Sequence, residues 1–148
     1  MSRMRRILFA SDFSKASGKA FTTAMTMAKA NQATLTILHV IVPFVPIVPE
    51  QYINTVTWEQ IDRQARRWSQ RQLVKLVDRA KKAGIRAVGL LLEGDPAQQI
   101  VRAARSKRAD LLVVGTHGRT GLTKLFVGSV AVRVVATASC PVATVRGK

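Results

Sequence analysis

Apolar and polar residues follow two different rhythms along the chain. Five short runs rich in β-branched residues are separated by longer stretches in which apolar residues recur every three or four positions. The short runs are typical of buried strands, and the longer stretches are typical of amphipathic helices. The predicted strands are Arg5–Ser11, Thr34–Val42, Ile85–Gly94, Ala109–Gly115 and Cys140–Arg146.

Four helices are predicted between these strands. They extend from about Ala16 to Asn31, Thr57 to Ala83, Pro96 to Lys107 and Ser129 to Ala138. Gly84 is a natural terminator of the second helix, and Asp95 before Pro96 is a favourable N-cap of the third. The apolar side of the long second helix, which is predicted to be buried, consists of Ile61, Ala65, Trp68, Leu73, Leu76, Val77 and Ala80.

The alternation of strands and helices predicts the fold class. It is typical of an α/β protein, here a single domain with a doubly wound, five-stranded parallel sheet in the order 3-2-1-4-5 and helices on both faces. A chain of 148 residues fits one such domain. Prolines at every third position of Pro43–Glu50 predict an extended loop, either packed on the domain or lying over a site as a flap.

Cysteine content and hydropathy restrict the class of protein. The one cysteine, Cys140, excludes an internal disulfide and a multi-cysteine metal cluster, and we expect it to be a small buried hydrophobe. The first apolar run stops at Asp12, too early for a signal peptide, and no run is long enough for a membrane helix. We therefore expect a soluble, cytoplasmic protein.

The charge balance is strongly positive. The chain has 24 Lys and Arg against 8 Asp and Glu, which gives a formal net charge of +16. Five bases step by four along the long helix: Arg63, Arg67, Arg71, Lys75 and Arg79. This stripe is either a solvated helix face or a contact surface for an acidic partner, such as an acidic protein, nucleic acid or anionic lipid.

A glycine-punctuated segment follows the fourth strand, with the spacing Gly115-x2-Gly118-x9-Gly128-Ser129. Glycines let backbone N–H groups converge on an anion, and the start of the last helix adds further N–H donors. Asp12, which ends the first strand, is predicted to lie opposite, where it could hold ribose hydroxyls. The pattern thus favours a nucleotide site, although a structural turn with a helix cap is the alternative.

Four stretches of the chain resemble the universal stress protein family: VVGTHGRTGLTKLFVGSVAVRVV, ASDFS, LHV and CPVATV. The complete glycine pattern resembles the ATP-binding branch of this family. The resemblance covers nearly the whole chain, so it implies one nucleotide-binding domain over residues 1–148 with an adenine nucleotide alpha hydrolase-like fold. It implies ATP, AMP or ADP as ligand, with Mg²⁺ or Mn²⁺ left open, and a role in a stress response. It also implies a homodimer paired through Pro141 to Val145, with burial of that strand inside the monomer as the alternative.

The resemblance also implies the residues of the site. Asp12 would contact the sugar with Ala10 and Ser11 beside it, and the backbone of Val40 would meet the adenine edge. Val114 and Gly115 would line the nucleoside. The phosphates would be held by Gly118, Gly128, Ser129 and Val130.

We expect binding with little or no hydrolysis. Phosphoryl transfer to water needs a metal held by carboxylates and a group that orients the water, and of the eight acids Asp12 alone is predicted near the phosphates. Arg119 and Lys124 could screen a triphosphate or be solvated, and His117 could carry a proton or be an ordinary loop side chain. His39 is expected to be a hydrogen-bonded interior residue. The competing hypothesis is a dimeric interaction protein that works through its basic surface.

Overall fold

The computed structural model describes residues 3–43, 55–116 and 128–147, with the side chains of residues 55–57 excepted. The strands are β1 (Arg6–Ala10), β2 (Thr34–Ile41), β3 (Ala87–Glu93), β4 (Leu111–Gly115) and β5 (Val142–Val145). The helices are α1 (Ser17–Asn31), α2 (Thr55–Lys82), α3 (Pro96–Ser106) and α4 (Ser129–Thr137). All nine predicted elements are confirmed, with ends that differ by one or two residues. The predicted extended loop lies, after Pro43, outside the described residues.

The five strands form one parallel sheet in the order β3-β2-β1-β4-β5, which confirms the predicted fold class. The central strand β1 pairs with both β2 and β4, and Ala10 lies opposite Leu38 on one side and Val114 on the other. The direction of winding reverses between β1 and β4. In sheets of this kind the carboxyl ends of the two strands at the reversal leave a crevice between them.

Alternate residues of the central strands build two cores, one on each face of the sheet. Ile7 and Phe9 pack with α1 and the C-terminal half of α2, whereas Leu8, Leu38 and Leu112 pack with α3 and α4. Because both faces are covered, the strands are apolar at nearly every position, which explains their continuous hydrophobic runs. The structure therefore confirms helices on both faces.

The buried side predicted for α2 is correct for its C-terminal half and wrong for the other half. Leu73 and Ala80 are buried, but Ile61, Ala65 and Trp68 are exposed. A helix of 28 residues is about 42 Å long, whereas the eight residues of β2 span about 26 Å. The first half of α2 therefore extends beyond the carboxyl end of the sheet, past the ends of the described strands.

The predicted signals at the helix ends are confirmed. Asp95 is the N-cap of α3 and its side chain accepts a hydrogen bond from the N–H of Gln98 at 2.9 Å, with Pro96 in the first turn. Gly84 follows α2 with a φ of 84°, a left-handed conformation that glycine adopts without strain. In the described part of the chain, no helix is long and apolar enough to cross a membrane.

At the opposite end of the sheet, Asp110 joins the start of β4 to the start of β1. Its Oδ2 accepts hydrogen bonds from the N–H groups of Arg5 and Arg6 at 2.8 and 2.9 Å. These bonds favour the ionised carboxyl and hold the pKa of Asp110 below its ordinary value.

The Asp110→Asn variant should therefore show a pH-dependent loss of stability. A carboxyl whose folded pKa is lowered stabilises the fold above its unfolded pKa, and this contribution disappears as the pH falls through the folded pKa. Near pH 6 the wild type should be more stable than the variant by less than about 1 kcal/mol at this exposed site, and it should melt at a higher temperature. This gap should close below about pH 4. Thermal unfolding monitored by circular dichroism tests this. A gap that stays constant down to pH 2 would contradict it.

Candidate functional site

A cavity of about 1020 Å³ lies at the carboxyl ends of β1, β2 and β4. Its floor is the sheet, and its walls come from the start of α3, the start of α4 and the part of α2 that extends beyond the strands. This is the position that the winding of the sheet predicts for a ligand. The volume is at the upper end of the range for small-molecule sites, which suits a nucleoside triphosphate.

The chain leaves β1 through a tight, hydrogen-bonded turn that fixes Asp12. The Asp12 Oδ1 accepts from the N–H of Ser14 at 2.8 Å, and the Ser11 Oγ accepts from the N–H of Phe13 at 3.0 Å. Phe13 has a φ of 63°, which costs a residue with a side chain about 1–3 kcal/mol. In this conformation its ring stacks on His39 at 4.1 Å and meets the ring of Trp68 edge-on at 5.6 Å. The aromatic contacts offset the backbone strain.

Just after the end of β1, the side chain of His39 supplies the last hydrogen bond between the β1 and β2 segments. The N–H of Ser11 donates to the carbonyl of Leu38 at 2.8 Å, and the carbonyl of Ser11 then accepts from the Nδ1 of His39 at 2.7 Å. A carbonyl cannot donate, so this Nδ1 carries a proton. His39 is 9% exposed, which confirms the expectation of a hydrogen-bonded interior residue, and it also lines the cavity.

The backbone of Val40 faces the crevice. In a parallel sheet the backbone N–H and C=O groups of successive residues point alternately to the two neighbouring strands. The carbonyl of Leu38 points to the β1 side, where it accepts from Ser11, and the carbonyl of Ile41 points to the β3 side, where it accepts from Gly94. The N–H and C=O of Val40 therefore point to the β1 side. At this level β1 has ended, so the two groups reach the cavity wall where Val40 is found.

The start of α4 forms the wall opposite β2. Gly128 is its N-cap, with no side-chain cap, and the first turn of this described helix contains no acidic residue. The N–H of Gly128 donates to the carbonyl of Thr116, which ties the helix to the end of β4. Gly128, Ser129, Val130 and Ala131 all line the cavity. The positive end of the helix dipole is therefore directed at it.

Charge and polarity around the cavity are unevenly distributed. Of the described residues that line it, Asp12 alone carries a formal charge, and most of the rest are apolar. Outside the lining, Arg133 donates to Asp95 at 2.9 Å and, with the Gln98 N–H, keeps the pKa of Asp95 below its ordinary value. Among the described residues there is no group of three or more His, Cys, Asp or Glu that could hold a metal ion.

The structure brings nine of the ten predicted site residues together in this one cavity. They come from four separate segments: Ala10, Ser11, Asp12, Val40, Val114, Gly115, Gly128, Ser129 and Val130. Gly118, the tenth, lies outside the described residues, as do His117, Arg119 and Lys124.

The sequence interpretation missed the contribution of α2. Ile61, Gln64, Ala65, Trp68 and Ser69 line the cavity together with Ser17 and Thr116. Ile61, Ala65 and Trp68 were predicted to be buried under the helix because their spacing is the same as that of core positions. A comparison of helix length with strand length would have indicated that this part of α2 passes the end of the sheet.

The fold and the crevice define a doubly wound α/β protein with a ligand cavity at the point where the winding reverses. The chain belongs to the universal stress protein family, whose model matches residues 4–146. It is 36% identical over 144 residues to Universal stress protein MJ0531 of Methanocaldococcus jannaschii, an alignment that covers 96% of this chain and 82% of the relative.

Solved structures show the same fold. The hypothetical protein MJ0577 superposes with a TM-score of 0.84 at 22% identity, over 99% of each chain. A universal stress protein crystallised in complex with cAMP superposes with a TM-score of 0.72 at 26% identity, over 98% of each chain. Related proteins of this fold thus include a nucleotide complex.

Proposed function

We propose that the cavity binds an adenine nucleotide, with ATP as the preferred ligand, and that binding makes the protein a nucleotide-dependent module of a stress response. One observation carries the proposal: residues from four distant segments, chosen from the sequence for this role, line the same cavity. The cAMP complex of a related protein adds support, because it is a nucleotide bound to the same fold.

In this proposal the phosphates bind at the start of α4. The first-turn N–H groups at Ser129 and Val130 have no partner inside the helix, and Gly128 places no side chain in front of them. Backbone N–H groups and a helix dipole suit an anion without any charged side chain. The Ser129 hydroxyl adds a donor. Asp12, fixed by its bond to Ser14, is placed to accept hydrogen bonds from the ribose hydroxyls.

The base lies in the apolar part of the cavity, against Val40 and the rings near Trp68. The Val40 backbone offers one donor and one acceptor, which complement the N1 acceptor and the N6 donor of adenine. A guanine edge presents the reverse arrangement, so its polar groups would be left unpaired.

We propose little or no ATP hydrolysis. Mg²⁺ or Mn²⁺ could arrive bound to the phosphates. The described lining supplies one carboxylate, Asp12, and this carboxylate binds the sugar in our proposal. We assign His39 a structural role, because its Nδ1–H donates to the carbonyl of Ser11 and its ring stacks on Phe13.

Nucleotide titrations by calorimetry test the proposal. We expect one ATP per chain, with ATP bound about 10- to 100-fold more tightly than GTP, because each unpaired polar group of guanine costs about 1–3 kcal/mol. The titration is run at moderate and at high salt, because salt screens the general attraction of phosphates to a protein of charge +16. Salt does not screen the hydrogen bonds and apolar contacts of a base held in the cavity. Equal affinity for GTP, lost in parallel with ATP binding at high salt, would contradict the proposal.

We further propose that the protein is a homodimer paired through β5. This strand is at the edge of the sheet and is half-buried. The carbonyls of Pro141 and Val145 accept from β4, so the alternating pattern directs the polar groups of Thr144 outward. An outward row of unpaired N–H and C=O groups is a template for a second chain.

The Thr144→Pro variant should therefore be monomeric. Proline removes an N–H that points away from β4, and an edge strand tolerates this loss. We expect the wild type to sediment as a dimer at micromolar concentration and the variant as a monomer. The melting temperature of the variant should fall only by the amount that dimer formation adds to the stability of the wild type. Thr144→Val keeps the N–H and should remain dimeric. A wild-type monomer, or a variant that stays dimeric, would refute pairing through β5.

A further inference from the structure

The exposed side of α2 carries a continuous band of positive charge. Successive members of the predicted stripe are four residues apart, which advances the helix by about 6 Å and turns it by about 40°. The stripe therefore crosses the exposed side of α2 obliquely over about 24 Å, with Arg71 opposite the buried Leu73 and Ala80. We call it the basic row: Arg63, Arg67, Arg71, Lys75 and Arg79, all exposed.

Among the described residues, no member of the basic row forms an ion pair with a carboxylate. The ion pairs found there are Asp62–Arg66, Arg66–Glu93 and Asp95–Arg133, and none includes a member of the row. Instead, Arg63 donates to the carbonyl of Glu59, and Arg79 lies 5.0 Å from the ring centre of Phe21. Lys81 and Lys82 extend the positive surface, and Asp78 is the one acid within it.

This arrangement costs stability unless something outside the chain compensates it. Each like-charged pair four residues apart destabilises a helix by about 0.2–0.5 kcal/mol. Acids at Arg67, Arg71 and Lys75 would not disturb the core, because these exposed positions point away from the buried side of α2. The row thus complements a dense, extended anion.

We propose that the basic row binds the sugar–phosphate backbone of a nucleic acid, without sequence preference. Duplex DNA carries one negative charge per about 1.7 Å of its axis, so a 24 Å length of duplex carries about fourteen phosphates, more than enough for the five bases of the row. Long, flexible cations suit phosphate contacts, which position a protein without reporting the base sequence.

The same face fits an anionic membrane less well. Helices that bind bilayers insert large apolar or aromatic residues. Here Val74 is the large apolar residue exposed within the basic row, while Ile61 and Trp68 line the cavity. In the C-terminal half of α2, four apolar residues are packed in or against the core: Leu73, Leu76, Val77 and Ala80. This inference is independent of the proposed nucleotide site.

Fluorescence anisotropy with a labelled 20-base-pair duplex of arbitrary sequence tests the proposal. The wild type should bind with a steep salt dependence between 50 and 200 mM NaCl, set by about five phosphate contacts. In the Arg67→Gln/Arg71→Gln/Lys75→Gln variant, affinity at 100 mM salt should fall about 10- to 100-fold and the slope of log K against log salt should become less negative by about 2.7.

The matched control removes the same charge from the other face of the sheet. Arg102→Gln/Arg105→Gln/Lys107→Gln alters three exposed bases on and just after α3, and it should retain most of the affinity and slope of the wild type. Equal losses in the two variants would mean that net charge, not the basic row, binds the duplex, and would overturn the proposal. The proposal would also be overturned if the protein bound phosphatidylserine vesicles through the basic row and did not bind the duplex. Asp12→Asn should bind the duplex like the wild type.

Discussion

Asp12→Asn should weaken ATP binding by about 10- to 100-fold and leave the fold unchanged. The carboxylate offers charged acceptors to the ribose hydroxyls, and a hydrogen bond to a charged group contributes about 1.5–3 kcal/mol. Asparagine keeps the shape and retains an oxygen that can accept from the Ser14 N–H, so the turn after β1 should survive. Calorimetry at a fixed salt concentration measures the effect.

The matched control for this prediction is Asp78→Asn. Asp78 is exposed on α2 and does not line the cavity, yet its substitution raises the net charge by the same amount. The control should bind ATP as well as the wild type or slightly better, because added positive charge attracts the phosphates. If both variants bind ATP equally well, Asp12 does not hold the sugar. AMP should lose as much affinity as ATP in Asp12→Asn, because the two share the ribose.

Phe9→Ala should lower the free energy of unfolding by about 3–5 kcal/mol. Phe9 is completely buried in the central strand, and its ring packs against Phe21 of α1 with the centroids 5.5 Å apart. Alanine leaves a cavity between β1 and α1 that the neighbouring strands cannot fill, because both are fixed by ladders to β1. The loss corresponds to a fall of about 6–20 °C in melting temperature for a domain of this size.

Val132→Ala is the control for Phe9→Ala. Val132 is 52% exposed on α4, so its truncation should change stability by less than about 0.5 kcal/mol. Urea denaturation of both variants gives the comparison. A loss below about 1 kcal/mol for Phe9→Ala would contradict the core described between the sheet and α1.

The fold was predictable because local and long-range signals agree. The apolar runs are continuous since both faces of the sheet are covered, and the end signals at Gly84, Asp95 and Pro96 are residues that helix termini favour. Rules of parallel connection reduce the possible strand orders to a few, and the observed order is one of them. The strand and helix ends differ from the prediction by one or two residues.

The candidate site was predictable where position in the fold determines it. Asp12 and Gly115 end neighbouring strands, and Gly128 and Ser129 begin a helix beside them, so topology alone brings them together. The shape of the turn after β1 was not predictable. The left-handed conformation of Phe13 depends on ring contacts with His39 and Trp68, which are distant in sequence.

The role of the first half of α2 was missed for a related reason. Helical periodicity identifies the side of a helix that faces other residues, but it cannot distinguish a core from the wall of a cavity. Trp68 satisfies the periodicity and lines the cavity. A comparison of the length of α2 with that of β2 shows which part of the helix extends beyond the sheet.

A crystal structure of the protein grown with ATP would test the proposed binding mode. We expect phosphate oxygens within hydrogen-bond distance of the N–H groups of Ser129 and Val130, ribose hydroxyls on Asp12 and the adenine edge at the backbone of Val40. A structure in which ATP leaves this cavity empty, or binds along the basic row of α2 instead, would contradict it.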